Sequence, residues 1–84
     1  MSLRLYVVTF ELLQPVEYSS LKARLRTLGG KQILGNQWAL RSTFTAAELK
    51  QILREFLDER DRIVVAEVGA EWASRRALAN LGEV

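Results

Sequence analysis

The first strand-like segment of this chain is apolar at both alternating sets of positions. It precedes an acid, Glu11, and it reads Arg4-Leu5-Tyr6-Val7-Val8-Thr9-Phe10. Successive side chains of a strand point to opposite sides of its sheet, so this pattern is typical of a strand that is covered on both faces. We expect one cover from helices of the same chain. Because the chain has only 84 residues, we expect the second cover from another subunit.

Composition places this chain among ordinary globular proteins. It has 49% hydrophobic residues, 26% charged residues and one proline, which is unlike a disordered or fibrous sequence. A domain of this size buries only about 60% of the surface that its unfolded chain exposes, so its own core is marginal. Association with a second copy would add to its stability, and we expect a homodimer.

The chain contains no cysteine and no histidine. This excludes a disulfide framework, thiolate chemistry and an imidazole base, and leaves carboxylates, hydroxyls or a bound metal for any reaction. The first residues lack the features of a secretion signal, and no apolar run approaches the roughly 20 residues of a membrane span. We therefore expect a cytoplasmic protein with no membrane partner.

Hydrophobic spacing predicts the elements of the first half. Residues 14–16, which include Pro15, predict a loop after the first strand. A helix follows and ends at Gly29-Gly30, and the side chains along its apolar side are Tyr18, Leu21, Leu25 and Leu28. The pair Gly35-Asn36 separates two short strands and suits a tight hairpin turn.

The second half begins with a capping-box pattern, Thr45-Ala46-Ala47-Glu48, which predicts the start of a helix. The apolar stripe of that helix comprises Leu49, Ile52, Leu53, Phe56 and Leu57. A charged connection follows, in which we expect Asp61 and Arg62 to form an ion pair. The β-branched segment 62–68 predicts the last strand.

The predicted order is strand, helix, strand, strand, helix, strand. Right-handed crossovers then place both helices on one face of a four-stranded antiparallel sheet, which is the ferredoxin-like α+β fold, with strands one and three in the centre. We assign residues 1–68 to this domain and residues 69–84 to a C-terminal extension. The extension is expected to pack across the open sheet face or to reach a partner subunit.

Glu11 is the strongest candidate for a catalytic or metal-binding residue, because it lies at the carboxyl end of a central strand. A carboxylate there could hold Mg²⁺ or Mn²⁺, and two copies related by a two-fold axis could share one ion that activates water. The alternative is a solvated residue at a strand end.

Charge is distributed unevenly along the chain. Residues 1–42 hold six basic and two acidic side chains, and residues 43–84 hold six basic and eight acidic ones. The candidate phosphate contacts in the first half are Lys22, Arg24, Arg26 and Arg41. The alternative is that these side chains belong to ordinary solvated faces.

Other polar and aromatic residues have two interpretations each. Trp38 could stack on a nucleobase or pack in the core or a dimer interface, and the hydroxyls of Thr9 and of the Ser42-Thr43 pair could contact phosphate or bond nearby backbone. Strands that are apolar on both faces also fit a small-molecule-binding regulatory domain of similar topology, although such domains are normally attached to an enzyme.

Several segments together resemble the small CRISPR-associated protein 2 family, and most closely its uncharacterised bacterial relatives outside CRISPR loci. The resemblance covers about residues 4–73. The segments that carry it are residues 6–12, the loop with Pro15 and Tyr18, residues 38–42, residues 61–68, and Trp72-Ala73.

The resemblance implies a ferredoxin-like homodimer that packs through its sheets. Members of this family are described as metal-dependent endonucleases acting on RNA or DNA, or as non-catalytic scaffolds that hold DNA with a larger integrase-type partner. The family's metal-binding aspartate falls on Glu11, whose side chain is one methylene longer. The expected function is a homodimeric nucleic-acid-associated protein with metal-dependent endonuclease activity, and the alternative is a non-catalytic dimeric scaffold or interaction module.

Overall fold

The computed structural model describes residues 3–13 and 18–84, so the predicted loop at residues 14–16 lies outside the described residues. The regular elements follow the predicted order, and the chain then continues into an irregular C-terminal tail. They are β1 (Arg4–Glu11), α1 (Ser19–Thr27), β2 (Lys31–Leu34), β3 (Gln37–Ser42), α2 (Ala46–Arg54), β4 (Arg62–Glu67) and a 3₁₀ turn (Leu81–Glu83).

The four strands form one antiparallel sheet in the order β2-β3-β1-β4. Strands one and three are therefore central, as predicted. The two-residue turn Gly35-Asn36 joins β2 to β3, and β2 has an irregular register at Ile33. This topology with its two helices confirms the ferredoxin-like α+β fold, and it makes β2 and β4 the outer strands.

The helices cover one face of the sheet and enclose the larger core. Leu21 and Leu25 of α1, with Leu49 and Leu53 of α2, are almost fully buried in it. The sheet contributes Tyr6, Val8, Phe10, Trp38 and Leu40 to this core.

Within the described residues, no helix combines the length and apolar character needed to cross a membrane.

The ends of the helices follow local sequence signals. Thr45 Oγ1 accepts from the Glu48 amide at 3.1 Å and the Glu48 carboxylate accepts from the Thr45 amide at 3.0 Å, which confirms the capping box. α2 ends at Arg54, so Phe56 and Leu57 of the predicted stripe follow the helix, but they still pack against the core.

The tail covers part of the second sheet face. Leu81 is buried there with Leu5, Ile33 and Ala39, and the Leu78 amide donates to the Ile33 carbonyl at 2.8 Å. Of the two placements expected for the extension, the structure has the one across the sheet of its own chain. The expectation that another subunit supplies the second cover is wrong for this part of the sheet, because the tail already provides it.

Candidate functional site

Glu11 ends β1 and lies directly opposite Arg62, the first residue of β4. Arg62 Nη1 donates to Glu11 Oε1 across the two strands. Both side chains are largely exposed, at 57% for Glu11 and 72% for Arg62. Since water screens such a pair, its contribution to stability is about 0–1 kcal/mol. The predicted metal ligand is thus accessible, and a neighbouring cation already balances its charge.

An open cleft of about 300 Å³ surrounds the Glu11 carboxylate. Its described lining contains one acid, Glu11, and one base, Arg62, beside Thr9, Asn36 and Val64. In the part of the chain that the structure describes, no three Asp, Glu, His or Cys side chains cluster closely enough to hold a metal ion. Mg²⁺ prefers an octahedron of oxygen ligands, so the described residues of one chain do not fit a protein-held Mg²⁺ or Mn²⁺ site.

Asp61 lies just before β4 and bonds Leu13 and Tyr18, the described residues on either side of residues 14–17. Its carboxylate accepts from the Leu13 amide at 2.8 Å, the Tyr18 hydroxyl at 2.7 Å and the Asp58 amide at 2.8 Å. Desolvation acts to raise the pKa of Asp61, but these hydrogen bonds outweigh it and hold the pKa below its usual value. The predicted Asp61–Arg62 ion pair is wrong, because Asp61 accepts these bonds while Arg62 pairs with the acid that ends β1.

A groove of about 230 Å³ lies between α1 and the β2–β3 turn, and we call it the helix-side groove. Lys22 lines it, and one helical turn later the Arg26 guanidinium stands 5.5 Å from the centroid of the Trp38 ring, at a cation–π distance. The other described residues of its lining are Phe10, Leu12, Tyr18, Leu21, Leu25, Gly35 and Asn36. None of the described lining residues carries a carboxylate, so the groove combines aromatic walls with positive charge.

The four predicted phosphate contacts do not form one surface. Lys22 lines the helix-side groove, and Arg26, one helical turn further along α1, lies over the ring of Trp38, which lines the groove as well. Arg24 is half-buried on the other flank of α1, where its Nη1 donates to Thr27 Oγ1 at 3.3 Å. Arg41 lies on the opposite face of the sheet, and its Nε donates to the Val84 carbonyl at 2.7 Å. The structure therefore brings two of these bases together and separates the other two from them.

The aromatic and hydroxyl candidates serve mainly as structural residues. Trp38 is 4% exposed and belongs to the helix-side core, as its packing interpretation predicts. Thr9 Oγ1 accepts from the Gln37 side-chain amide at 2.8 Å. Ser42 Oγ accepts from the Phe44 amide at 3.0 Å. The Ser42 bond agrees with the backbone interpretation, whereas Thr9 bonds a side chain of the neighbouring strand β3.

The sequence reasoning missed the role of Arg62. The predicted topology contained the necessary signal, because an antiparallel neighbour of strand one places the start of strand four opposite Glu11. No comparable signal existed for Asp61. Its bonds to Leu13 and Tyr18 join positions more than 40 residues apart, and no local sequence pattern pairs positions at such a separation.

The sheet order, the two helices on one face and the packed tail define a ferredoxin-like α+β protein. Among solved structures, the crystal structure of a hypothetical protein, TT1823 from Thermus thermophilus, matches this chain with a TM-score of 0.74 and 17% sequence identity. The match covers 93% of this chain and 98% of that chain. No protein-family model and no curated protein matches the chain. At this identity the likeness supports the fold alone.

Proposed function

We propose that this protein binds nucleic acid at the helix-side groove and holds the strand without cutting it. The observation that carries the proposal is that Lys22 lines this groove and Arg26, one turn away, lies over its Trp38 wall, with no carboxylate among the described lining residues. Ammonium and guanidinium groups bind phosphate oxygens, and aromatic side chains stack on bases. The resemblance to the CRISPR-associated protein 2 family supports the same role, with a homodimer and a larger integrase-type protein as its expected assembly.

The size of the groove favours a single strand of RNA or DNA. A volume of about 230 Å³ admits one unpaired base but not a base pair with its two backbones. An unpaired base can enter beside Tyr18 and Leu12, while its flanking phosphates contact Lys22 and Arg26. A duplex would offer only its phosphates to the same two cations, and its binding would be weaker.

A matched pair of double variants tests this proposal. The experiment measures the binding of a fluorescently labelled ten-nucleotide single strand by anisotropy at several salt concentrations. We expect Lys22→Gln with Arg26→Gln to weaken binding at least tenfold. Each phosphate contact on a single strand contributes about 0.7 to the slope of log K against log salt, so the slope should fall by roughly 1.4.

The control is Lys50→Gln with Arg54→Gln, which removes two bases at the same spacing on α2. Those bases line another cleft, together with the acids Asp58, Glu59 and Asp61. The control should bind within about twofold of the parent protein, since neighbouring carboxylates already offset its positive charge. Equal losses in the two double variants would mean that net charge alone drives binding. No binding at low salt would leave a non-nucleic-acid interaction module as the function.

Metal-dependent cleavage by a dimer is the second candidate, favoured by the exposure of Glu11 at the end of a central strand. It needs Mg²⁺ or Mn²⁺ bound between two copies of the chain, each of which supplies one Glu11. The test incubates labelled RNA and DNA with either ion and compares Glu11→Gln with Arg62→Gln. A role for Glu11 predicts that the first variant loses cleavage and the second retains it. Equal cleavage by both variants and the parent would remove Glu11 from the mechanism.

The proposed homodimer has a test that does not depend on ligand. Val64, on the part of the second sheet face that the tail leaves open, is 63% exposed, and a partner that packs through the sheets would cover it. Sedimentation equilibrium should give twice the mass of one chain, and Val64→Lys should shift it toward a single chain. A single-chain mass for the parent at micromolar concentration would remove the dimer and with it the shared metal.

A further inference from the structure

The tail does not lie flat on the second sheet face, and a cavity of about 230 Å³ separates the two. We call this space the tail cavity. The sheet supplies one side through Val7, Ile33 and Leu34. The tail supplies the other side through residues 73–75, Ala77, Ala79 and Leu81, and it is fixed to the sheet by the hydrogen bond at Leu78 and the buried side chain of Leu81. These attachment points lie at one end of the tail lining, and residues 73–75 at its other end are exposed.

The side chains of the tail leave this space open. Ala77 and Ala79 line the cavity and are half-buried, whereas Leu78 between them is 68% exposed. The large apolar side chain thus faces water and the two small ones face the sheet. A segment whose only role was to seal the sheet would place large side chains at the two alanine positions as well, as it does at Leu81, because unfilled apolar space costs stability.

The mouth of the cavity carries a positive charge. Arg75 is exposed in the lining beside Ser74, and no described lining residue is acidic. Among the described residues, Arg75 forms no ion pair. The next residue, Arg76, has a φ of 57°, a left-handed conformation that L-residues rarely adopt and that recurs at ligand clamps. A guanidinium at the mouth of an apolar space suits a ligand with one carboxylate and an apolar body.

We propose that the tail cavity binds a small carboxylate with an apolar body, such as a medium-chain fatty acid or an arylacetate. Apolar protein cavities of about 150 Å³ hold benzene, so a space of about 230 Å³ accommodates one ring with a short side chain or a chain of about eight carbons. The carboxylate contacts Arg75 and the apolar body lies between the tail alanines and the sheet. This site lies on the opposite face of the sheet from the helix-side groove and does not depend on nucleic-acid binding.

The experiment titrates the full chain with octanoate and with phenylacetate, and follows the backbone amides by NMR. We expect saturable shifts at the amides of residues 73–81 and of β2 for at least one ligand, and the comparison of the two ligands identifies the preferred body. Acetate, which lacks an apolar body, and phenylacetamide, which lacks the charge, should bind at least about tenfold more weakly.

Two neighbouring arginines give a matched pair of variants. Arg75→Gln should weaken binding about tenfold or more, whereas Arg76→Gln, which removes the same charge one residue away from the lining, should change it less than about twofold. Ala77→Leu should abolish binding by filling the cavity. If Ala77→Leu does not fold, Ala73→Leu fills the same space from the exposed end of the tail.

Four outcomes would overturn this proposal. Three of them are an absence of saturable shifts up to about 10 mM of either ligand, equal losses in the two arginine variants, and undiminished binding in a folded cavity-filling variant. Equal affinity for phenylacetamide and phenylacetate would also overturn it, because the assigned role of Arg75 requires a charged ligand. A failure of nucleic-acid binding would leave each of these results unchanged.

Discussion

The two faces of the sheet are covered in different ways. On the helix side, four buried leucines from two helices pack against buried strand residues, and Leu40 is completely inaccessible. On the tail side, one irregular segment contributes a single buried leucine, Leu81, and leaves a cavity behind it. One face therefore has a close-packed core, and the other is only partly covered by the tail.

The comparison explains why β1 is apolar at both alternating positions. Tyr6 and Val8 enter the helix-side core, while Leu5 and Val7 face the tail. The sequence pattern requires that both faces of β1 be covered, but it does not show how closely the covering segment packs on each face. We therefore expect most of the folding stability to come from the helix side, and we expect the tail to detach from the sheet at a smaller cost in free energy.

The helix side should show the largest effect of a single truncation. We expect Leu40→Ala to lower the free energy of unfolding by about 3 kcal/mol, since it removes buried methyl groups and leaves a cavity among rigid neighbours. Urea unfolding followed by circular dichroism measures the change. A loss below about 1 kcal/mol would mean that this face is not the close-packed one.

The matching truncation on the tail side is Leu81→Ala. We expect a loss of about 1–2 kcal/mol, because the tail can collapse onto the vacated space or detach as a unit. Hydrogen exchange at the Leu78 amide, which is bonded to the Ile33 carbonyl, should accelerate as the tail detaches. Leu78→Ala is the control and should be nearly neutral, as that side chain faces solvent. A loss equal to that of Leu40→Ala would erase the difference between the two faces.

The close packing of the helix side should also resist one added methyl group. A Cβ at Gly30 would lie 2.8 Å from the Leu25 carbonyl oxygen, so the backbone at the end of α1 would have to move. We expect Gly30→Ala to cost roughly 1 kcal/mol in thermal unfolding. Gly35→Ala is the control, because nothing lies within 4 Å of its added Cβ, and it should change stability by less than about 0.5 kcal/mol.

The smallest effect concerns pH. Because the hydrogen bonds from Leu13, Tyr18 and Asp58 depress the pKa of Asp61, the ionised carboxylate favours the folded state. Its contribution is complete above the unfolded-state pKa of about 3.9 and disappears as pH falls below that value through the folded-state pKa. Urea midpoints between pH 2 and pH 6 should therefore fall less steeply for Asp61→Asn than for the parent. Identical slopes would show that these bonds do not favour the charged form.

The sequence predicted the fold well, because its signals are local. The Thr45–Glu48 capping pattern, the Gly35-Asn36 turn and the spacing of apolar residues each fix one element with little help from tertiary contacts. Given this order of elements, only a few topologies with right-handed crossovers are possible. The predicted and observed elements accordingly agree, and the boundaries differ mainly at the end of α2.

The candidate site was less predictable, because it depends on which side chains the folded chain brings together. Lys22 and Arg26 share a helix flank that spacing alone reveals. The distance of Arg41 from them follows from strand alternation, but its bond to Val84 depends on the path of the tail. The tail cavity had no signal in the sequence, since the inward direction of Ala77 and Ala79 is set by where the tail is fixed to the sheet.

The two edge strands of the sheet, β2 and β4, differ in how well they can pair with a strand of another molecule. β2 is four residues long with an irregular register, and the Leu78 amide already occupies one of its outward carbonyls. β4 is the longer edge strand and has six residues, from Arg62 to Glu67. An extended segment of a neighbouring molecule meets a broken, partly occupied ladder at β2 and a continuous one at β4. Aggregation by edge pairing should therefore begin at β4, where the main features that oppose pairing are the charged side chains of Arg62 and Glu67 at its two ends.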